Sequence, residues 1–205
     1  MKPNELRGFL EAVRTCGAHK GTRVATEFLM LAVVRKDNVC KACWEHFELE
    51  KGTWTISGRT TGGNGFMKMP EPHTVYLFTQ AVALLEKARY LSSTSEWVFP
   101  SVQTQSKPMN DVAINHLFSR LRANSDIPKV FAPHGLRSTA STMMNEQHFP
   151  PDVVEVILTH KEKDASRGSY NHARYVKGVT EAHQWYADKL DELVAGADVI
   201  QFKAA

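Results

Sequence analysis

Two basic side chains stand three residues apart at the expected start of a helix. In His134-Gly135-Leu136-Arg137 this spacing places an imidazole and a guanidinium on the same side of one helical turn. The first turn of a helix also carries the positive end of the helix dipole, which favours a bound anion. The arrangement suits a phosphate group.

A second imidazole and a phenol follow further along the chain. Leu158-Thr159-His160 ends the next apolar helix, and Tyr170-Asn171-His172 comes after a charged loop. Tyrosine serves as a nucleophile in covalent catalysis, and histidine transfers protons. Each of these residues alone is more often a surface or packing residue. Their order along the chain is what favours a functional site.

The ordered set resembles the tyrosine recombinases, also called phage-type integrases. Ala132 to Thr139 carries the family's H-x-x-R motif, Leu158-Thr159-His160 stands at its L-G-H motif, and Tyr170 follows at the family's distance. The run Tyr170 to Tyr175 and the later helix around Trp185 are most similar to integrases of satellite phages and genomic islands. The resemblance implies an α+β, mainly α catalytic fold with a small three-stranded antiparallel sheet. It implies site-specific DNA recombination as the activity.

Two arginines compete for the position of the family's first arginine. Gly21-Thr22-Arg23 is similar to the motif, but Arg23 opens an apolar helix, whereas Arg35 closes that helix. In the family this arginine follows the helix and precedes a tryptophan and a hairpin. Arg35 is followed by Trp44 and by a hairpin at Trp54. We therefore assign Arg35 to the site and interpret Arg23 as a solvated helix residue.

The family lysine lies at the hairpin turn before a strand of the form x-H-x-V-x-L. Lys68 precedes His73-Thr74-Val75-Tyr76-Leu77 and is the match, with Arg59 as the alternative. A lysine on a glycine-rich loop is most often a plain surface residue, so this assignment rests on the resemblance.

The resemblance implies a role for each site residue. Tyr170 attacks the phosphate in line and keeps the strand as a 3'-phosphotyrosine, while Arg35 and Arg137 grip the non-bridging oxygens. Because the phosphotyrosine stores the bond energy, neither a nucleotide cofactor nor a metal is expected. The remaining roles are those of Lys68 as acid for the leaving 5'-hydroxyl, His134 as base for the tyrosine, and His160 as a hydrogen-bond donor to the phosphate.

Three departures separate the chain from the family pattern. Val33-Val34 replaces the Thr-Gly before the first arginine, Asn38 replaces an acidic residue, and Thr159 replaces the glycine of L-G-H. A missing carboxylate leaves an arginine less firmly aimed. A non-catalytic DNA-binding or assembly module that keeps the fold is therefore an alternative function, and a type IB topoisomerase is the related enzyme alternative.

Two further alternatives concern the reacting groups. Tyr175 is the second choice of nucleophile, on its spacing from His160. A metal hydrolase built on His134, His160 and His172 is disfavoured, since carboxylates at ligand spacing are lacking.

The resemblance also implies partners and domain organisation. Double-stranded DNA attachment sites are the expected partner, with a homotetramer on DNA and a monomer alone. Residues 1–205 are expected to form one catalytic domain, a core over 1–179 followed by a C-terminal helix and tail, without the family's arm-binding and core-binding modules. Because no apolar stretch is long enough to span a bilayer and no leader is recognisable, the expected location is the cytoplasm of a bacterial or phage-host cell, at the nucleoid.

Hydrophobic periodicity predicts the elements that position these residues. Phe47 to Glu50, Thr53 to Ile56 and His73 to Leu77 alternate at period two and predict the three-stranded sheet. The predicted helices are Asn4 to Gly17 with Asn4 as cap, Thr22 to Val33, Lys36 to Trp44 as a further helix or the continuation of the previous one, Thr79 to Leu91, Asn110 to Leu121 with Asn110 as cap, Gly135 to Glu146, Pro151 or Asp152 to Leu158, Tyr170 to Tyr175 and Thr180 to Val194.

Composition is compatible with a DNA-binding enzyme. A chain of 205 residues with 42% hydrophobic content can bury one sizeable core. The net charge is only +3, but the stretch from Gly178 onward is acidic, which leaves about +6 on the rest. A basic body favours DNA binding. Cys40 and Cys43 form a lone CxxC pattern without a second pair and are interpreted as free thiols.

Overall fold

The structure is a computed structural model of the chain. It describes residues 3–58, 72–124, 127–128, 131–158 and 172–196, and the side chains of 3–4 and 172–174 are not included in that description. The assigned site residues Lys68, His160 and Tyr170 lie outside the described residues, and so do Arg59 and Thr159. Within the described ranges no helix combines the length and apolar character that crossing a membrane requires.

The described residues form eight α-helices and one small sheet. Two 3-10 turns, Trp44–His46 and Leu49–Lys51, flank the first strand. The helices are α1 (Pro3–Thr15), α2 (Lys20–Ala32), α3 (Lys36–Cys40), α4 (Thr79–Ser92), α5 (Asp111–Asn124), α6 (Pro133–Glu146), α7 (Pro151–Ile157) and α8 (His172–Ala195), and the strands are β1 (Phe47–Glu48), β2 (Thr53–Ile56) and β3 (His73–Tyr76). The predicted mainly helical fold with one three-stranded antiparallel sheet is confirmed.

Helix α2 lies at the centre of the fold. It contacts α1, α3, α4, α5 and α8, and its residues from Phe28 to Ala32 are all buried. A helix that is apolar around most of its circumference is stable only when other elements cover it on several sides. The residue that follows its C-terminal end is therefore held by the core.

The sheet is attached to α2 by aromatic side chains. Its strands are antiparallel in the order β1-β2-β3, with Phe47 opposite Trp54 and Ile56 opposite His73. The rings of Phe47 and Trp54 stack with centroids 5.0 Å apart, and Phe28 of α2 lies 5.7 Å from Trp54. Cross-strand aromatic pairs stabilise a short sheet and fix its register. This register places His73 at the start of β3, opposite Ile56.

Helix α8 corrects the sequence prediction at the C-terminal end. The pattern predicts separate helices over Tyr170 to Tyr175 and Thr180 to Val194, but one helix runs from His172 to Ala195. The helix continues through Gly178, where the absence of a Cβ allows α8 to pack closely on α7. A Cβ there would lie 2.9 Å from Cγ2 of Val153.

Other boundaries differ for local reasons. Helix α1 begins at Pro3, so Asn4 lies inside its first turn rather than at the cap, because the fixed φ of proline suits a first helical position. The helix predicted to reach Trp44 ends at Cys40, since the backbone of 42–44 pairs instead with 96–98. The first strand ends at Glu48, where a 3-10 turn begins. The predicted cap of α5 is confirmed, as Oδ1 of Asn110 accepts a hydrogen bond from the Val112 N–H at 2.9 Å.

Two glycine substitutions test the packing of α8 on α7. Gly178→Ala is expected to lower the free energy of unfolding by about 1–3 kcal/mol, because buried Val153 is β-branched and cannot move aside freely. Gly8→Ala is the matched control at an exposed position of α1, where nothing lies within 4 Å of an added Cβ. It is expected to raise stability by about 0.5–1 kcal/mol. Urea unfolding followed by circular dichroism measures both, and a shift of both variants in the same direction contradicts the packing argument.

Candidate active site

One cavity of about 270 Å³ brings together three of the residues assigned from the sequence. Arg35, His134 and Arg137 all line it, although about a hundred residues separate the first from the other two. The remaining wall is formed by Val34, Lys36, Asn115, Ala132 and Pro133.

The start of α6 places His134 and Arg137 as the spacing predicts. Pro133 occupies the first helical position, His134 is exposed, and Arg137, one turn later, is only 5% exposed. Packing explains why a glycine stands between them at position 135, because an added Cβ would lie 3.0 Å from the ring of Phe131. The carbonyl of Phe131 in turn accepts a hydrogen bond from Nη1 of Arg122 at 3.0 Å. The turn leading into α6 is thus held by the close packing of Gly135 on Phe131 and by the hydrogen bond from Arg122.

Arg137 joins two distant helix ends. Its Nη1 donates to the carbonyl of Val33 at 3.1 Å, and its Nη2 donates to the carbonyl of Leu158. Burial lowers its pKa to about 10, and the charge of Arg35 contributes in the same direction. The guanidinium therefore stays cationic at neutral pH.

Val33 adopts a backbone conformation that valine rarely takes. Its φ is 55° and its ψ is 19°, in the left-handed region where only glycine is unstrained. A strained residue at such a position persists because its surroundings hold it. Here the side chain is 1% exposed and the carbonyl is bound to Arg137. This turn ends α2 and directs the chain toward Arg35.

Arg35 is the N-cap residue of α3 and has an unused donor. Its Nη1 is buried and has no hydrogen-bond partner within the described part of the chain. An unpaired buried donor costs about 1–3 kcal/mol, and more on a charged group. The same side chain lies close enough to Arg137 to lower that residue's pKa. Two neighbouring cations, one with an unsatisfied N–H, provide a site for an anion.

His73 is a site neighbour that the sequence assigned only to a strand. It is half-buried at the start of β3, and its pKa is lowered to about 4 by burial and then by the charges of Arg137 and Arg35. The imidazole is therefore neutral at neutral pH. The sequence signal at this position is the histidine of the family form x-H-x-V-x-L, whereas its proximity to both arginines comes from the tertiary fold.

A second buried histidine, His183 on α8, lies next to His73 in this environment. This residue is 2% exposed, and its ring lies 5.7 Å from that of Phe78. Burial lowers its pKa to about 4, His73 adds to the shift, and the backbone of Tyr76 opposes it. The helix that follows Tyr170 in sequence is thus packed, through a neutral histidine, against the strand that borders the arginines.

Lys36 and Asn115 are further cavity residues that sequence reasoning missed. Nζ of Lys36 donates to Oδ2 of Asp111 at 2.8 Å and to Oδ1 of Asn115 at 3.1 Å. The only sequence signal is that Lys36 follows Arg35 directly. Asn115 is indistinguishable in sequence from any exposed polar residue of a helix.

Arg23 stands away from this site. It lies near the start of α2, a helix roughly 20 Å long by its rise per residue, whereas Arg35 follows its end. The interpretation of Arg23 as solvated is wrong, since it is half-buried and its Nη1 donates to the carbonyl of Arg14. It lines a separate cavity of about 510 Å³.

Lys68, His160 and Tyr170 lie outside the described residues, and so does the choice between Lys68 and Arg59. The metal alternative shares this limit, because His160 and the side chain of His172 also fall there. Among the described side chains no group of three or more histidine, cysteine or acidic residues could hold a metal ion. The cysteines Cys16, Cys40 and Cys43 are free thiols, as interpreted for the CxxC pair, and burial raises the pKa of Cys40 to about 12.

Solved structures share this architecture. The crystal structure of XerA recombinase matches with a TM-score of 0.63 at 17% identity, over 90% of this chain and 64% of that chain. A lambda integrase (75–356) dimer bound to a COC' core site matches with a TM-score of 0.59 at 14% identity, over 100% and 62% of the two chains. The Tn1549 transposon integrase in complex with transposon right end DNA gives 0.66 at 15% identity, over 88% and 64%. The fold is that of the tyrosine recombinase catalytic domain.

Sequence relationships are closer. The model of the phage integrase family matches residues 1–177, and the chain belongs to this family. Prophage integrase IntA of Escherichia coli (strain K12) is 32% identical over 200 residues, which cover 98% of this chain and 46% of the relative. The integrase of Enterobacteria phage P4 is 30% identical over 195 residues, 89% of this chain and 44% of the relative. The chain thus spans about half the length of the curated relatives it matches.

A pair of methionine substitutions tests the different states of the two arginines. Arg35→Met removes an unpaired buried donor and a like charge beside Arg137, so the free energy of unfolding is expected to stay unchanged or to rise by up to about 1 kcal/mol. Arg137→Met is expected to lower it by about 1–3 kcal/mol for each of the two carbonyls that lose their donor. Urea unfolding of both variants measures the contrast, and equal destabilisation argues against it.

The buried state of His183 predicts a pH-dependent stability. Between its ordinary pKa of 6.5 and its folded value of about 4, the unfolded chain binds more protons, so the free energy of unfolding falls as pH falls. His183→Leu removes this contribution. The stability of the original chain relative to the variant is expected to fall by up to about 1.4 kcal/mol per pH unit between pH 6.5 and 5. A difference that does not vary with pH contradicts the shift, since carboxylates common to both proteins cancel.

Proposed function

We propose that the chain is a catalytic domain of site-specific DNA recombination, which cleaves and rejoins DNA through a 3'-phosphotyrosine at Tyr170. The observation that carries this proposal is the cavity in which Arg35, Arg137 and His134 meet, within the fold of a tyrosine recombinase. The relatives are named as integrases, which supports DNA recombination in particular.

The two arginines favour a phosphodiester over a neutral ligand. Arg137 already uses donors on the carbonyls of Val33 and Leu158, so its orientation is set before any ligand binds. Arg35 has a buried donor without a partner among the described residues. A non-bridging oxygen of a phosphate supplies the acceptor and reduces the repulsion between the two cations. Both effects increase as negative charge builds up on the pentavalent phosphorane.

The proposed first step transfers the strand to the enzyme. The Oη atom of Tyr170 attacks phosphorus in line, the bond between phosphorus and the 5'-oxygen breaks, and a 3'-phosphotyrosine forms. His134 takes the phenol proton, and Lys68 gives a proton to the leaving 5'-hydroxyl. His160 adds a hydrogen bond to the phosphate. In the second step a 5'-hydroxyl attacks the phosphotyrosine and releases Tyr170, so no external energy source is required.

Tyr170 is preferred to Tyr175 as the nucleophile. Tyr175 lies within α8 and is half-buried, with its ring packed against the hydrophobic core. A nucleophile must bring its oxygen to the phosphate, which a ring held by packing does less readily. Tyr170 precedes the first residue of α8 by two positions.

Double-stranded DNA is the proposed partner. Two of the solved neighbours described above are integrases in complex with DNA or a core site. We propose that the chain acts on attachment-site duplexes, as a homotetramer on DNA and as a monomer without it. We further propose that the domain works in the cytoplasm, at the nucleoid.

Covalent trapping tests the nucleophile. The protein is incubated with a pool of duplexes that carry a randomised central segment and a nick, so that the released fragment diffuses away and the adduct accumulates. Mass spectrometry of the adducts is expected to locate the nucleotide on Tyr170. Tyr170→Phe is expected to abolish the adduct, and Tyr175→Phe is the matched control expected to retain it. An adduct on Tyr175 refutes the assignment.

The same pool separates Lys68 from Arg59. A sulfur at the 5'-bridging position leaves without a proton, so it restores cleavage only where a variant lacks the general acid. Lys68→Ala is expected to cleave the oxygen substrate slowly and the sulfur substrate at the original rate. Arg59→Ala serves as the comparison, and rescue of that variant instead assigns the role to Arg59.

Other outcomes define the alternatives. DNA binding without any adduct indicates a non-catalytic binding or assembly module. Relaxation of a supercoiled plasmid regardless of sequence indicates a topoisomerase. Activity lost to a chelator indicates a metal hydrolase.

A further inference from the structure

The cavity that the two arginines line is also lined by a polar cluster that contains Lys36 and Asn115. Lys36 is the first residue of α3 and follows Arg35 directly, and Asn115 lies on α5. The ammonium of Lys36 donates to Oδ2 of Asp111 at 2.8 Å and to Oδ1 of Asn115 at 3.1 Å. The side chain is only 18% exposed, which is low for a lysine. These bonds hold the charge at a defined place beside the arginine pair.

Donors remain available in this cluster after its internal bonds are counted. A lysine ammonium has three N–H donors, and two of them are used here. Because Oδ1 of Asn115 accepts from Lys36, the orientation of the amide is set and its Nδ2 is directed away from that lysine. No hydrogen bond among the described residues uses Nδ2 of Asn115. One ammonium N–H and an amide group are thus left in the cavity wall.

Asp111 orients Lys36 without removing it from the cavity. The lysine hydrogen bond holds the pKa of Asp111 below its usual range, so the carboxylate is charged at neutral pH. It is 47% exposed, so water screens the pair and its net stabilisation is small. An incoming anion therefore competes with a weak partner for an ammonium that is already in place.

We propose that Lys36 and Asn115 bind the DNA-backbone phosphate next to the one gripped by Arg35 and Arg137. This inference rests on the proposed function, since it takes the arginine pair as the position of the scissile phosphate. Successive phosphates of one strand are a single nucleotide apart, and Arg35 and Lys36 are successive residues whose side chains line one cavity. Phosphate contacts of this kind set the register of a protein on DNA, so the pair positions the scissile phosphate for attack.

Salt-dependent DNA binding tests the contact. Binding of a short duplex of fixed sequence is measured by fluorescence anisotropy over a range of salt concentrations. Each phosphate neutralised by a cation contributes about 0.9 to the slope of log Kd against log salt. Lys36→Gln is expected to reduce the slope by about 0.9, and Lys36→Arg to restore it. Asn115→Ala is expected to weaken binding at every salt concentration with the slope unchanged, because the amide is uncharged.

A matched lysine far along α8 provides the control. Lys189 is 29% exposed and is bonded to Glu192 at 2.6 Å, so Lys189→Gln removes a similar ion pair away from the cavity. It is expected to keep the original slope. An unchanged slope in Lys36→Gln, or an equal loss in Lys189→Gln, overturns the inference. If Lys36→Gln does not fold, Asp111→Asn decides: tighter DNA binding supports the contact, and unchanged binding overturns it.

The binding measurement is independent of the chemistry. If no tyrosine adduct forms but the slope changes as expected, the proposed reaction fails and the DNA contact stands. If the adduct forms and the slope of Lys36→Gln is that of the original chain, the reaction stands and this inference fails.

Discussion

The guanidinium of Arg137 is the interaction on which the arrangement of the site depends. It bonds the carbonyl that ends α2 and the carbonyl that follows α7, two segments more than a hundred residues apart in sequence. In the sequence, Val33 lies two residues before Arg35, and Leu158 lies two residues before His160. One buried cation therefore joins the two segments that precede these residues. A lysine lacks the planar fork that reaches two acceptors at once.

Several features of this arrangement lower the stability of the protein, and the packing of the core compensates for them. Val33 is held in a left-handed conformation, Arg35 has a buried donor without a partner in the described chain, and the two guanidiniums repel each other. Backbone strain, unsatisfied donors and like charges are each destabilising by themselves. They persist because α2 is surrounded by five other helices and by the aromatic cluster under the sheet. The stable core thereby keeps the two arginines in an arrangement that is complementary to an anion.

Burial is the main reason that the histidines around the site are neutral. It lowers the pKa of His73, with the charges of Arg137 and Arg35 adding to the shift, and it lowers the pKa of His183 on α8, with His73 adding to that shift. A neutral imidazole can pack beside cations where a protonated one would be repelled. This is how α8, whose first turn follows Tyr170, packs against the strand that borders the arginine pair. Burial and local charge, rather than residue type, decide which histidine is free to exchange protons.

Much of the architecture could be predicted from the chain itself. Helical periodicity identified the buried face of α1, in Leu6, Phe9, Leu10 and Val13, and period-two alternation identified the three strands. The spacing of His134 and Arg137 predicted their placement in one turn, because a helix relates residues three apart by its own geometry. Local signals of this kind are present in the sequence because they depend on neighbours along the chain.

Contacts between distant segments were decided only by the tertiary structure. Position relative to the end of α2 favoured Arg35 over Arg23, but only packing shows Arg35 beside Arg137. The continuity of α8 through Gly178 depends on Val153 of α7, and the ion pair of Lys36 depends on Asp111 of α5. No local pattern encodes these pairings, because they depend on how the helices pack against one another. The sequence by itself predicted a set of residues for the chemistry of a tyrosine recombinase, and the tertiary structure decided that Arg35, His134 and Arg137 of that set line one cavity.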